Sequence, residues 1–412
     1  MSVTLIEKDR TPRLPGFSVN VVLECARGIA ALWVFMFHIA PMFAPWPMLA
    51  TIARYGHQGV PLFFVLSGYC MMAAAENTLQ ARRGPANFLK RRLLRIFPPF
   101  WLSVLAVMAA PYAIEAISAL KTGAFSIAPP AWMAYTWIDW IEVLTLTKVF
   151  DNTGGDLQAG FSQINAVYWS LAIEVQFYLI MTVSLVFTAR WKKILVWVTL
   201  LSVLACLSPS LANSGLFMKY WPAFFVGLVL REIHQRGGTP LALFGARQLS
   251  ASLFATVVLL ALLFGVIFAP ACATPFACST VPNLTFTLAA LLSALLLWTF
   301  GGIEHALRFP AGGKSVPFLK AWMVLPLAWV GQSSYSLYLL HGKIHQLPML
   351  FVRQVVAPTS LLFPLLTMGA TVAMCYGFYL LAEKPFHMLA QRSGKTPVRP
   401  LPAPVLAASA KQ

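Results

Sequence analysis

Apolar residues dominate this chain in long unbroken runs, and short basic stretches separate them. Runs long enough to cross a hydrocarbon core lie at 20–42, 59–76, 97–115, 165–188, 194–210, 215–231, 250–270, 283–300, 322–341 and 361–382. Each predicts a helix, because in lipid a single segment satisfies its own backbone groups only as a helix. The pattern therefore predicts an all-α, polytopic membrane helical bundle of about ten transmembrane helices. The basic residues alternate between loops as a topology requires. The N-terminal tail, Arg82 to Arg95, Arg190 to Lys193, Arg231 to Arg247, Arg308 to Lys320 and Lys384 onward fall on one side. The loops between hold only Arg54, Lys121, Lys148, Lys343 and Arg353. The excess of Lys and Arg marks the cytoplasmic side, so both termini are expected there.

Composition agrees with that reading. Of 412 residues 59% are hydrophobic and 10% charged, too little polar surface to coat a water-soluble globule. Thirty basic residues face 13 acidic ones, but they sit at the ends of apolar runs, which points to a membrane surface and away from nucleic acid. The expected organisation is an N-terminal cytoplasmic tail at 1–19, a membrane domain at 20–388 and a disordered, Pro- and Ala-rich tail at 389–412. Cys25, Cys70, Cys206 and Cys375 lie in or beside apolar runs and read as small core residues. Cys272 and Cys278 share one outer loop, where an oxidising compartment would pair them. No zinc site is completed nearby, and no metal is expected.

Four stretches could carry chemistry. In the first, Arg27 and His38 are 11 residues apart, so they share one helical face about 16 Å apart. Ionisable groups at membrane depth are costly and tend to be functional, although Arg27 could instead snorkel and His38 pack as a bonded core residue. In the second, Arg92 and Arg95 stand one turn apart beside Pro98 and Pro99. Paired guanidinium groups grip phosphates, or they are an ordinary positive-inside cluster. In the third, Glu174 and Tyr178 lie one turn apart inside an apolar run, with His38 or Arg27 as partners, in a catalytic or a purely structural pair. In the fourth, Ser334, Tyr338 and His341 fall on one helical face near the outer surface, beside Tyr335, fit either to position a polyhydroxyl acceptor or to join helices by hydrogen bonds. Ser67 and Gly68 read as a packing pair. The outer segment at 116–164, with Trp132, Trp137 and Trp140, reads as an aromatic belt or a lid.

Together these stretches resemble the acyltransferase 3 family of bacterial inner-membrane acyltransferases. The matching residues are Arg27-Gly28 through His38, Phe63 to Gly68, Arg92 to Pro98, Trp169-Ser170-Leu171 with Glu174, Phe177 and Tyr178, Ser334 to Tyr338 with His341, and Glu383-Lys384-Pro385. Phe100 departs from the tyrosine that members often carry after the proline. The resemblance implies acyl transfer from a cytoplasmic acyl-coenzyme A, most simply acetyl-CoA, to a hydroxyl of a cell-envelope glycan or lipid-linked sugar. Arg27, Arg92 and Arg95 would then hold the donor, and His38, oriented by Glu174, would act as general base or as an acyl carrier. Ser334, Tyr335, Tyr338 and His341 would meet the acceptor. A homodimer is left open. A transporter or flippase would also use intramembrane Arg, His and Glu, but the paired, broken half-repeats typical of transporters are not seen.

Overall fold

The computed structural model describes residues 21–151, 156–235, 254–260, 262, 282–308 and 324–392. The expected N-terminal tail, the expected C-terminal tail beyond residue 392, the Cys272 and Cys278 loop and most of the expected span at 250–270 lie outside those residues. Among the described residues the regular structure is helical. It comprises α1 (Val21–His38), α2 (Pro47–Arg54), α3 (Gly59–Gln80), α4 (Pro85–Thr122), α5 (Trp137–Thr145), α6 (Tyr168–Val186), α7 (Trp191–Ala205), α8 (Pro209–Ala212) and α9 (Trp221–Gln235). After the gap come α10 (Pro282–Arg308), α11 (Val324–Gln332), α12 (Ser334–Ile344), α13 (Gln346–Val355), α14 (Leu362–Phe378), a π-helical turn at Tyr379–Glu383 and α15 (Lys384–Arg392).

Among the described residues, four helical runs are long and apolar enough to cross a membrane: Pro47–Gln80, Pro85–Leu120, Tyr168–Val186 and Leu362–Gln391. The other six expected spans fall on shorter helices, on α10, whose fully described apolar part is Phe286–Thr299, or partly outside the described residues. Two differ in kind from the expectation. The run at 322–341 is interrupted at Ser333, where the hydroxyl reaches back to the Trp329 and Val330 carbonyls at 3.2 and 3.3 Å and α12 starts afresh. The run at 97–115 is the middle of a 38-residue helix that passes straight through Pro98 and Pro99. Proline lacks the N–H that would close the preceding turn, so interior prolines survive only where neighbours serve the freed carbonyls. The carbonyls freed here are those of Leu94 and Arg95, and the Tyr335 hydroxyl donates beside them, to the Ile96 carbonyl, at 2.9 Å.

Helices cross closely where a side chain would not fit. A methyl group on Gly68 would strike the Phe224 carbonyl, and one on Gly227 the Val65 carbonyl, so α3 and α9 pack backbone to backbone. Lipid offers no hydrophobic drive between helices, and such contact supplies the dispersion energy that holds them. Beside this crossing, Phe64, Phe177 and Phe224 bind α3, α6 and α9 together, with ring centroids 5.4 and 4.4 Å apart.

The outer segment folds around one cation. Lys148 is buried, donates to Asp139, Glu142 and Asp151 at 2.5, 3.0 and 2.8 Å, and lies over the Tyr135 ring. Thr136 and Asp139 form a capping box that starts α5, and Trp101 of α4 donates to the Leu144 carbonyl. Hydrogen bonds from Lys148 and Thr136 hold the Asp139 carboxyl far below the usual aspartate range. Burial opposes charge on Lys148, but the three carboxylates outweigh it and raise its pKa. Because the folded value of Asp139 lies below its unfolded one, its contribution is complete above about pH 4 and fades as pH falls through the folded value. Lys148→Met is expected to lower the melting temperature by roughly 3 °C in a detergent thermal-shift assay at pH 7. An unchanged melting temperature would show that the knot does not hold the segment.

Candidate active site

One cavity gathers most of the residues singled out in the sequence. Its wall includes Arg27 from α1, Ser67 and Cys70 from α3, and Arg92 and Arg95 from α4. Ser170, Glu174 and Tyr178 from α6, Ser334, Tyr335 and Tyr338 from α12, and Glu383 from the π-helical turn complete it. The three arginines come from two helices, and each is held differently. Arg27 lies 3.7 Å from Glu24 on its own helix and donates to the Cys70 sulfur at 3.2 Å. Arg92 donates to the Cys70 carbonyl at 3.4 Å, and its guanidinium lies 5.8 Å from the centres of the Phe88 and Tyr178 rings. Arg95 makes no hydrogen bond or ion pair with the described residues, so its donors are left for something else. Arg91 turns away and donates to the Ala390 carbonyl at 3.1 Å.

Two carboxylates face these cations. Glu174 accepts from Ser67 at 3.0 Å and from Tyr178 at 2.6 Å. Its expected pairing with His38 is not formed, since the α6 face that carries it turns toward Ser67 of α3. Ser67, read from sequence as packing alone, is thus also a cavity donor, while Gly68 beside it makes the helix crossing. Glu383 is buried and accepts from the backbone N–H of Ser336 at 3.1 Å and from its hydroxyl at 2.6 Å, capping the first turn of α12. Sequence reasoning quoted Glu383 only as part of a motif. Unlike Glu174, which lies inside an apolar run, Glu383 stands just past the end of one, beside Lys384, where a carboxylate draws no notice.

The histidines lie beyond the cavity. Tyr338 is the divider, because its hydroxyl donates to the Val167 carbonyl and so receives the Ser170 hydroxyl at 2.6 Å, while its ring lies 5.9 Å from that of His341. His341 is buried, and its ring meets that of His38 edge-on, with centroids 4.8 Å apart. Ser334 and Tyr335 therefore share the arginine-lined cavity with one side of Tyr338, whereas His341 leaves that group and joins His38.

The acyltransferase domain family matches residues 20–383, which cover the whole of this arrangement. Among curated proteins, a nodulation protein 10 from Rhizobium leguminosarum bv. viciae is 26% identical over 141 residues, 33% of this chain and 35% of that protein. A protein from the picA locus of Rhizobium radiobacter is 33% identical over 103 residues, 25% of this chain and 50% of that protein. The matched stretches thus span half or less of either relative. No solved structure matches the chain. With its arginine cavity and histidine pair both inside the matched region, the chain belongs to the acyltransferase 3 family.

Proposed function

We propose that this protein moves an acyl group, most simply acetyl, from acyl-coenzyme A to a hydroxyl of a cell-envelope glycan or lipid-linked sugar in a bacterial inner membrane, with His38 as general base. The observation that carries this reading is the convergence of Arg27, Arg92 and Arg95 on one cavity, with Arg95 unpaired among the described residues. Coenzyme A presents several phosphate groups, and guanidinium donors bind phosphate more strongly than they bind neutral acceptors. With the nucleotide held there, the pantetheine arm runs past Glu174 and Ser67 toward Tyr338. The roughly 16 Å along α1 from Arg27 to His38 lies within the reach of such an arm.

The chemistry is a balanced acyl transfer. His38 takes the proton of the acceptor hydroxyl as its oxygen bonds to the thioester carbonyl carbon. The carbon–sulfur bond then breaks, and the departing thiolate receives that proton. Glu174 holds Ser67 and Tyr178 in place and offsets the arginine charge, a part different from orienting the base.

The test uses purified protein in lipid vesicles with acetyl-CoA labelled in the acetyl group, reading label in the glycolipid fraction. Wild type is expected to transfer label, and Arg95→Met to raise KM for acetyl-CoA about tenfold to a hundredfold, the loss of one or two charge-assisted hydrogen bonds. An unchanged KM would remove the donor site from this cavity. Solute movement across the vesicle with no acetyl leaving coenzyme A would make the protein a transporter.

A further inference from the structure

We infer that His341 is the positioning residue for His38, and that its Nε2 is the acceptor for the N–H which His38 carries on the nitrogen away from the substrate while its other nitrogen deprotonates the substrate hydroxyl. This deepens the general-base reading given above and rests on it. His341 Nδ1 lies 2.9 Å from the Leu337 carbonyl, and a carbonyl can only accept, so Nδ1 carries the ring proton. Nε2 is therefore a bare lone pair. It is buried and has no partner among the described residues, although buried polar atoms are nearly always bonded.

The surroundings hold that lone pair beside His38 and offer it nothing else. Phe35, one turn before His38 on α1, packs against the rings of His341 and His345, with centroids 5.7 and 6.2 Å apart. His345 spends its own Nδ1 on the His341 carbonyl, at 2.8 Å. The His38 ring, 4.8 Å away and at 67° to that of His341, is half-buried and has no hydrogen-bond partner among the described residues. Neutral His38 has a single N–H, and the substrate hydroxyl needs its other nitrogen. Once protonated, His38 has two N–H groups, of which one returns its proton to the leaving thiolate and the other can be received by His341 Nε2. The bond then strengthens as positive charge develops, so it accelerates the chemical step without tightening the binding of either substrate.

The experiment compares two substitutions of similar polarity in full-length protein in vesicles. His341→Gln keeps an acceptor at the reach of Nε2, whereas His341→Asn ends near the level of Nδ1. His341→Asn is expected to lower kcat about 100-fold with KM for both substrates unchanged, and His341→Gln to stay within about tenfold of wild type. The double variant His38→Ala/His341→Asn is expected to be no slower than His38→Ala, because the second residue acts through the first. A full rate in His341→Asn with His38→Ala inactive would overturn this inference and leave the base in place. Equal losses in the Gln and Asn variants would also overturn it, since shape and not the lone pair would then be what matters. A wild-type rate in His38→Ala would remove the base itself and this inference with it.

Discussion

Replacing His38 by alanine is expected to lower the rate of acyl transfer by about 10²- to 10⁴-fold, the usual contribution of a positioned general base. The KM for acetyl-CoA is expected to hold, because the donor's charged groups are assigned to the arginines of the cavity, and His38 is not part of its wall. That split makes the measurement informative. A fall in kcat alone places His38 at the chemical step, whereas a rise in KM alone would place it in donor binding and leave the base unidentified. Folding is a small concern, since His38 is half-buried and bonds to nothing among the described residues, so its loss orphans no partner.

Gly68→Leu is expected to prevent folded protein from accumulating in the membrane, a larger effect than any substitution of a cavity side chain. The site for the new side chain is already filled by the Phe224 carbonyl and the Gly227 Cα on the facing helix. Backbone cannot step aside as a flexible side chain can, so α3 and α9 would have to separate. Their separation would also pull Phe64 away from Phe177 and Phe224. Fluorescence-detected size exclusion of the variant in mild detergent reads the outcome. A monodisperse peak at wild-type yield would show that the crossing tolerates several ångströms of movement.

How much of this could be read from the sequence depends on whether a feature lies within one helix or between two. The shared face of Arg27 and His38 follows from helical phase alone, and so does the pairing of Glu174 with Tyr178. Which helix stands opposite is not in the phase, and for that reason Glu174, expected at His38 or Arg27, shares a cavity wall with Arg27 but bonds to Ser67. The same gap hid the Tyr338 divider, since a stripe of Ser334, Tyr338 and His341 gives no sign that one end faces the cavity and the other packs against His38. The break at Ser333 left no strong mark either, because serine is an acceptable helix residue until its hydroxyl turns back to the preceding carbonyls. Pro98 and Pro99 misled in the opposite direction. They mark a helix start in water, but here the helix Pro85–Thr122 runs on through them.

The clamp on Tyr338 bears on the cell's energy supply. A membrane that stores an electrochemical gradient loses it through any continuous file of water molecules, along which protons hop rapidly. A protein with an arginine-lined cavity on one side and paired imidazoles on the other has nearly the makings of such a leak. The phenol ring of Tyr338, pinned by Ser170 and the Val167 carbonyl, stands between the two. The bilayer would then stay electrically insulating around a catalyst built from charged residues.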